Sequence, residues 1–255
     1  MKRLLLPLLS GVITVAVLIW LISFWITLVV GPLFLRLAYA QSSFPEDLYG
    51  VSTETVDALA LIPLTTNERL TLAMQTVAFL ESHQSPEDAS LLLRLTRLPH
   101  TQRPMYSEKE LSHLRDVKTV TDKLRVIAWC AFALILACSG SLFWRSETQT
   151  QPWIALKSGG VLTIWMMGVM ACFILFGWGL FFVQFHGLFF ESGTWTFAST
   201  DTLIRLFPEQ LFFQAGQAIT VGSMLAGGLT WLVGYGMLKV VAVLSGTTGG
   251  YQGVP

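Results

Sequence analysis

The sequence predicts an all-α membrane protein with four transmembrane helices, a helical extracytoplasmic insert between the first two and an interfacial outer loop between the last two. Three observations predict this. Four runs of the 255-residue chain stay apolar over the ~20 residues needed to cross ~30 Å of hydrocarbon. Only 13% of the residues are charged and the mean hydropathy is +0.60, where a soluble domain carries about a quarter charged residues. The polar stretch after the first run holds repeated helix-start signals, and no strand alternation stands out.

The first span, about 8–31, lies in a charge-free run from Leu4 to Leu35 that follows Lys2 and Arg3. Ala38-Tyr39-Ala40 has the form of a signal cleavage site. A signal h-region is only about 7–15 residues long, so this much longer run reads as an uncleaved anchor. The insert, about 36–124, begins with a loop over 40–56. Thr65 with Glu68, Ser85 with Asp88, and Ser107 with Glu110 then match capping boxes, an N-cap oxygen followed three residues later by a carboxylate. Pro86 stands where a first-turn proline costs nothing. These starts predict helices near 66–82, 86–97 and 108–124. Nothing breaks the last one before the second span, about 126–144, so it is expected to run into that span or bend at its mouth.

The third span is expected at about 159–184 and the fourth at about 218–244, both rich in glycine, which lets helix backbones approach closely. The outer loop of about 185–217 holds Trp195, Phe197 and an amphipathic piece, Leu203, Ile204, Leu206 and Phe207 before Pro208, then Leu211, Phe212 and Phe213. Such a segment suits the membrane interface. The whole chain, 1–255, is expected to form one integral membrane domain. Basic residues in short loops set orientation. Lys2, Arg3, Arg145, Lys157 and Lys239 face one acid, Glu147, if the N- and C-termini are cytoplasmic. That orientation, in the cytoplasmic membrane, puts the insert and the outer loop on the outer side.

Zero net charge leaves no basic footprint for nucleic acid. Cys130, Cys138 and Cys172 all fall in apolar runs without metal-ligand spacing, so a disulfide scaffold, a cysteine-held zinc site and an iron–sulfur site are not expected. No GxSxG, HExxH, Walker or Rossmann pattern is present. No Asp or Glu lies mid-span, which disfavours a transporter.

Chemistry then falls to four histidines. His83 ends a predicted helix, where a cation suits the dipole. Its H-x4-D spacing to Asp88 occurs in glycerolipid acyltransferases, but Ser85 and Pro86 between them mark a helix start. His100, in Pro99-His100-Thr101, reads as a loop residue. His113 stands on a helix with Asp116 three residues on, where a carboxylate can fix the imidazole tautomer; an ordinary surface ion pair has the same spacing. His186 sits among phenylalanines at a span end, where desolvation favours the neutral ring; an interfacial histidine bonded to a carbonyl is the bland alternative. Together, His113 and His186 lie near one membrane face, at the level of lipid esters. Two imidazoles there suggest acid–base work on acyl transfer.

At these residues the chain resembles the lipoprotein intramolecular transacylases (Lit), four-span bacterial membrane enzymes. One block is Glu110, His113, Asp116, Val117 and Lys118. The other begins Phe185, His186, Phe189 and Phe190, passes Trp195, and continues through Asp201, Thr202, Leu203, Ile204, Leu206, Phe207, Pro208, Leu211 and Phe212. Leu211 takes a place that is often aromatic. The likeness covers roughly 60–245. It implies transfer of the sn-2 acyl chain of a diacylated bacterial lipoprotein to the α-amine of its N-terminal cysteine, with membrane lipids as surroundings and no cofactor. It implies His113 and His186 as the catalytic pair and Asp116 as the orienter of His113. Phe185, Phe189, Trp195 and Phe207 would line the place of the acyl chains. Which histidine is base and which acid stays open. The rivals are a non-catalytic membrane factor that binds lipoproteins, and a metal-dependent lipid hydrolase using His113, Asp116 and His186 as ligands.

Overall fold

A computed structural model describes residues 2–41 and 64–248. Among these, nine α-helices and one 3-10 turn follow in order: α1 (Lys2–Val30), α2 (Pro32–Gln41), α3 (Thr66–Glu81), α4 (Pro86–Leu95), α5 (Glu108–Phe143), the turn at Ser146–Thr148, α6 (Gln151–Phe176), α7 (Trp178–Phe189), α8 (Thr202–Leu206) and α9 (Glu209–Thr248). No described residue belongs to a strand; Arg97 and Pro104 make an isolated bridge. Four helices, α1, α5, α6 and α9, are long and apolar enough to cross a membrane. The loop expected at 40–56 lies outside the described residues, apart from its first two positions, which end α2.

Two compact units divide the chain. The first consists of α1 up to Trp25, α5 from Leu124, α6 up to Cys172, and α9 from Ala218. Ile13, Val17, Leu21, Leu142 and Ala155 form its core. Close helix contact here depends on absent side chains: a Cβ on Gly227 would stand 2.9 Å from the Gly160 carbonyl oxygen. Two hydroxyls in the spans bond their own helices, Thr163 Oγ1 to the Gly159 carbonyl and Thr230 Oγ1 to that of Ala226, each at 2.8 Å, so no water is needed for these two in lipid. Trp129, Trp165 and Leu225 point outward, as do Cys130 and Cys172. Such apolar outer faces belong to an integral, multi-pass membrane protein.

The second unit holds α2, α3, α4, α7 and α8 with the first part of α5 and the start of α9. The capping boxes of α3 and α5 close as expected. Thr65 N–H donates to Glu68 Oε2 at 2.8 Å, and Ser107 N–H to Glu110 Oε2 at 2.7 Å. Ser85 caps α4, which follows with Pro86. Tyr39, on α2, is buried in this unit's core and donates its hydroxyl to the Leu206 carbonyl at 2.6 Å. Leu35 and Ala38 join it in that core, while Leu33 and Leu37 on the same helix are exposed. Lys118, fully buried, donates to the Ser82 carbonyl just past α3 at 2.6 Å and pairs with Asp122 at 3.0 Å.

Several boundaries differ from expectation. The first run breaks at Gly31, so α2 is a separate helix. The third span begins earlier, at Gln151, and ends at Phe176. Gly177 interrupts it, and the 12-residue α7 that follows is too short to span. Hydropathy cannot register such a break, because both sides are equally apolar. The amphipathic piece at 203–213 divides at Phe207-Pro208, and α9 starts at Glu209, nine residues before its apolar part. α4 stops at Leu95, where Thr96 turns extended and the bridge to Pro104 begins.

Candidate active site

α5 is one helix from the insert into the membrane. Its charged residues run to Arg125 and its apolar stretch starts at Val126, so His113 precedes the spanning part. His113 is buried, 7% exposed, against Phe190 and Phe197, with ring centroids at 4.8 and 5.4 Å. Its Nδ1 is buried and has no hydrogen-bond partner. Burial pushes its pKa down to about 4, and the nearby His186 imidazole adds to the shift.

His186 lies in the last turn of α7, 9% exposed. Its Nδ1 donates to the Phe182 carbonyl one turn back at 2.8 Å. A carbonyl only accepts, so the proton of the neutral ring sits on Nδ1 and the lone pair on Nε2. Burial lowers the His186 pKa, and the Phe182 hydrogen bond opposes part of that shift. Phe182, Trp195 and Phe190 surround the ring at 4.1, 4.9 and 5.8 Å. Phe190 thus lies against both imidazoles, and both histidines belong to one aromatic cluster. The Trp195 indole N–H is also buried without a partner.

The first turn of α5 holds the loop that supplies these aromatic rings. Glu110, 3% exposed, uses both oxygens: Oε2 accepts from Ser107 N–H, and Oε1 accepts from Leu203 N–H at 2.7 Å, in the first turn of α8. Lys109 Nζ donates to the Thr196 carbonyl at 2.6 Å and stands 5.1 Å from the Phe197 ring. Backbone donors left free at a helix start need such an acceptor, and here a distant carboxylate provides it.

The predicted site residues divide. Trp195 touches His186. Phe185 meets the same imidazole edge-on at 5.7 Å, and Phe189 lies tilted against Phe185 at 5.0 Å; both are exposed. Phe207 packs on the apolar core of its unit instead. Asp116 does not orient His113. It is exposed, and no hydrogen bond joins the two. A step of three residues turns a helix side chain by about 60°, which here is enough to put the carboxylate in solvent while the imidazole faces the rings. The two imidazoles are covered by rings rather than lining an open cavity. His83 is exposed. His100, in the loop with φ 62°, bonds Glu68 Oε1 at 2.9 Å. No group of three His, Cys, Asp or Glu side chains that could hold a metal occurs among the described residues.

Phe182 and Phe190, four residues either side of His186, were legible from helical spacing. Phe197 and the Glu110–Leu203 bond were not, because they join residues far apart in sequence.

The family model for the lipoprotein intramolecular transacylase Lit matches residues 11–213. The chain belongs to the Lit family. It is accordingly an acyltransferase. An uncharacterised protein of Aquifex aeolicus is 24% identical over 207 residues, covering 79% of this chain and 81% of that one. Among solved structures, the membrane-integral Lit of Bacillus cereus superimposes with a TM-score of 0.72 at 19% identity, covering 94% of this chain and 98% of that one. A variant of it with one histidine replaced by arginine gives a TM-score of 0.69 at 18% identity, with 96% of each chain covered. At such identity these likenesses establish the fold, the four-span architecture read above.

Proposed function

We propose that this Lit-family member moves the sn-2 acyl chain of a diacylglyceryl lipoprotein to the α-amine of the lipoprotein's own N-terminal cysteine, with His186 as base and His113 as donor to the developing oxyanion. The observation that carries this reading is the pair of buried, neutral imidazoles sharing one aromatic cluster. His186 presents a lone pair at Nε2, because Phe182 holds its proton at Nδ1. The neutral state of His113 suits a hydrogen-bond donor, as a neutral imidazole donates through one nitrogen without itself titrating near neutrality. Its Nδ1 is enclosed, which leaves Nε2 for the substrate.

The amine nitrogen attacks the sn-2 ester carbonyl carbon, and its proton passes to His186 Nε2. The tetrahedral oxyanion accepts hydrogen bonds from His113 Nε2–H and from the unpartnered Trp195 indole N–H, an arrangement of the oxyanion-hole kind. The carbon–oxygen bond to glycerol then breaks, and His186 returns the proton to the departing oxygen. An amide and a free glyceryl hydroxyl result, with no net proton change. Amine and ester belong to one molecule, so positioning supplies much of the rate. Glu110 and Lys109 contribute by holding the 196–203 segment.

Arg145 in the turn between α5 and α6, Lys157 in the second turn of α6, and Lys2, Arg3 and Lys239 towards the chain ends support a cytoplasmic-membrane protein with both termini inside, so that the histidines would work at the outer leaflet. In the assay, purified protein is mixed with a synthetic diacylated lipopeptide and the lyso-form product is read by mass spectrometry. His186→Asn and His113→Asn should each lose ~10²–10⁴-fold in rate at unchanged protein level, and His83→Gln and His100→Gln should stay near wild type. Activity surviving in both single variants refutes the assignment. No turnover by the wild-type protein would favour the non-catalytic factor.

A further inference from the structure

We infer that a groove between α6 and α9, beside Tyr235, binds the phosphate of an anionic phospholipid. The groove, about 480 Å³, is lined by Lys157, Tyr235, Leu238, Lys239, Ala242 and Val243. Two ammonium groups converge on one ring: Lys157 Nζ stands 6.0 Å and Lys239 Nζ 5.2 Å from the Tyr235 centroid. Neither makes a hydrogen bond or ion pair with any described residue. Two cations gathered at the edge of hydrocarbon repel one another unless an anion lies with them.

The arrangement is built into the packing. A Cβ on Gly234 would lie 2.7 Å from the Trp153 carbonyl oxygen and 2.8 Å from the Lys157 amide nitrogen, so only glycine lets α9 come close enough to bring Lys157 to Tyr235. Trp231 stacks on Tyr235 at 5.5 Å and 8°, an aromatic pair of the type that sits at headgroup level. Lys157 follows the start of α6 by six residues, a rise of ~9 Å, which is again interfacial depth.

The remaining lining is aliphatic, with Val243 65% exposed. A free phosphate would gain nothing from that surface, whereas a phospholipid places its phosphate on the lysines and an acyl chain along Leu238, Ala242 and Val243. Basic pockets between transmembrane helices take anionic headgroups in this way. The site lies apart from the histidines in sequence and needs none of the acyl-transfer chemistry.

The test is lipid retention by the full-length protein, reconstituted in phosphatidylcholine bilayers with a graded fraction of phosphatidylglycerol, extracted and weighed by native mass spectrometry. Wild type should retain phosphatidylglycerol over phosphatidylcholine. Lys157→Gln and Lys239→Gln should each reduce that preference about fivefold, the worth of ~1 kcal/mol per basic residue at an anionic surface, and the double variant should lose it. Equal retention of both lipids by wild type, or an unchanged preference in the double variant, overturns the inference. So does stabilisation by inorganic phosphate that matches that of phosphatidylglycerol, which would make the groove a free-anion site. Melting in pure phosphatidylcholine checks that each variant is folded, and the two single variants keep the test decisive if the double variant is not.

Discussion

His186 is oriented by its own helix. The Phe182 carbonyl that takes its Nδ1 proton lies one turn back, so the tautomer is set without a separate acid, and the carboxylate that spacing suggested for His113 is absent from the ring. A pH profile follows. Both imidazoles are neutral above their ordinary pKa of about 6.5, and both are shifted below it. Burial should keep both histidines from limiting acyl transfer at neutrality, and the rate should fall at a pH below 6.5 where His186 protonates; His113 protonates at about 4. Stability has the same sign. The unfolded chain protonates His113 first, so the folded state keeps its full margin above 6.5 and loses it as the pH falls toward about 4. His113→Gln should flatten that part of the melting-temperature profile, and an unaltered profile would contradict the burial argument. Glu110→Gln keeps one acceptor but sets an NH₂ group against a backbone N–H. A loss of about 1.5–3 kcal/mol is expected for a charge-assisted bond, with a lower turnover rate as the 196–203 segment loosens. Melting and single-turnover rates measured together would show both.

At the scale of elements, the helix starts were more legible than the helix ends. A cap is local chemistry, and the side chains of Thr65, Ser85 and Ser107 announce it. The break at Gly177 announces itself only as one glycine among many, in a run where hydropathy is uniform. α8 was hidden for another reason: its first-turn acceptor is Glu110, 93 residues away, where sequence reading assigned that carboxylate wholly to the capping box of α5. The packing of α6 on α9 gives a direct prediction. Gly227→Val puts side-chain atoms against the Gly160 backbone, which cannot yield as a flexible side chain would, and should cost about 1–3 kcal/mol as overpacking. A melting series of reconstituted Gly227→Ala and Gly227→Val should decline in that order.

For the molecule as a whole, four spans were readable because a bilayer imposes a length and a composition, and both survive without any knowledge of packing. The site was half readable. His113 and His186 stood out as rare polar groups beside apolar runs, and Phe182 and Phe190 follow from helical spacing, but Trp195 and Phe197 reach the imidazoles only through tertiary contacts. Orientation has its own check. With the native cysteines replaced by alanine, Gln84→Cys, exposed beyond α3, should react with an impermeant thiol reagent added to intact cells. Labelling only after lysis would reverse the assignment of sides.

Phe190 closes α7, with its amide bonded to the His186 carbonyl and its own backbone already extended. Its ring lies against both imidazoles, so on the proposed mechanism an ester that reaches the two of them would displace it. On that mechanism, the ring would keep water from the base His186 until a lipid chain displaces it. Phe190→Ala should then trade selectivity for leakage: lipopeptide hydrolysed to free fatty acid should rise relative to the amide product.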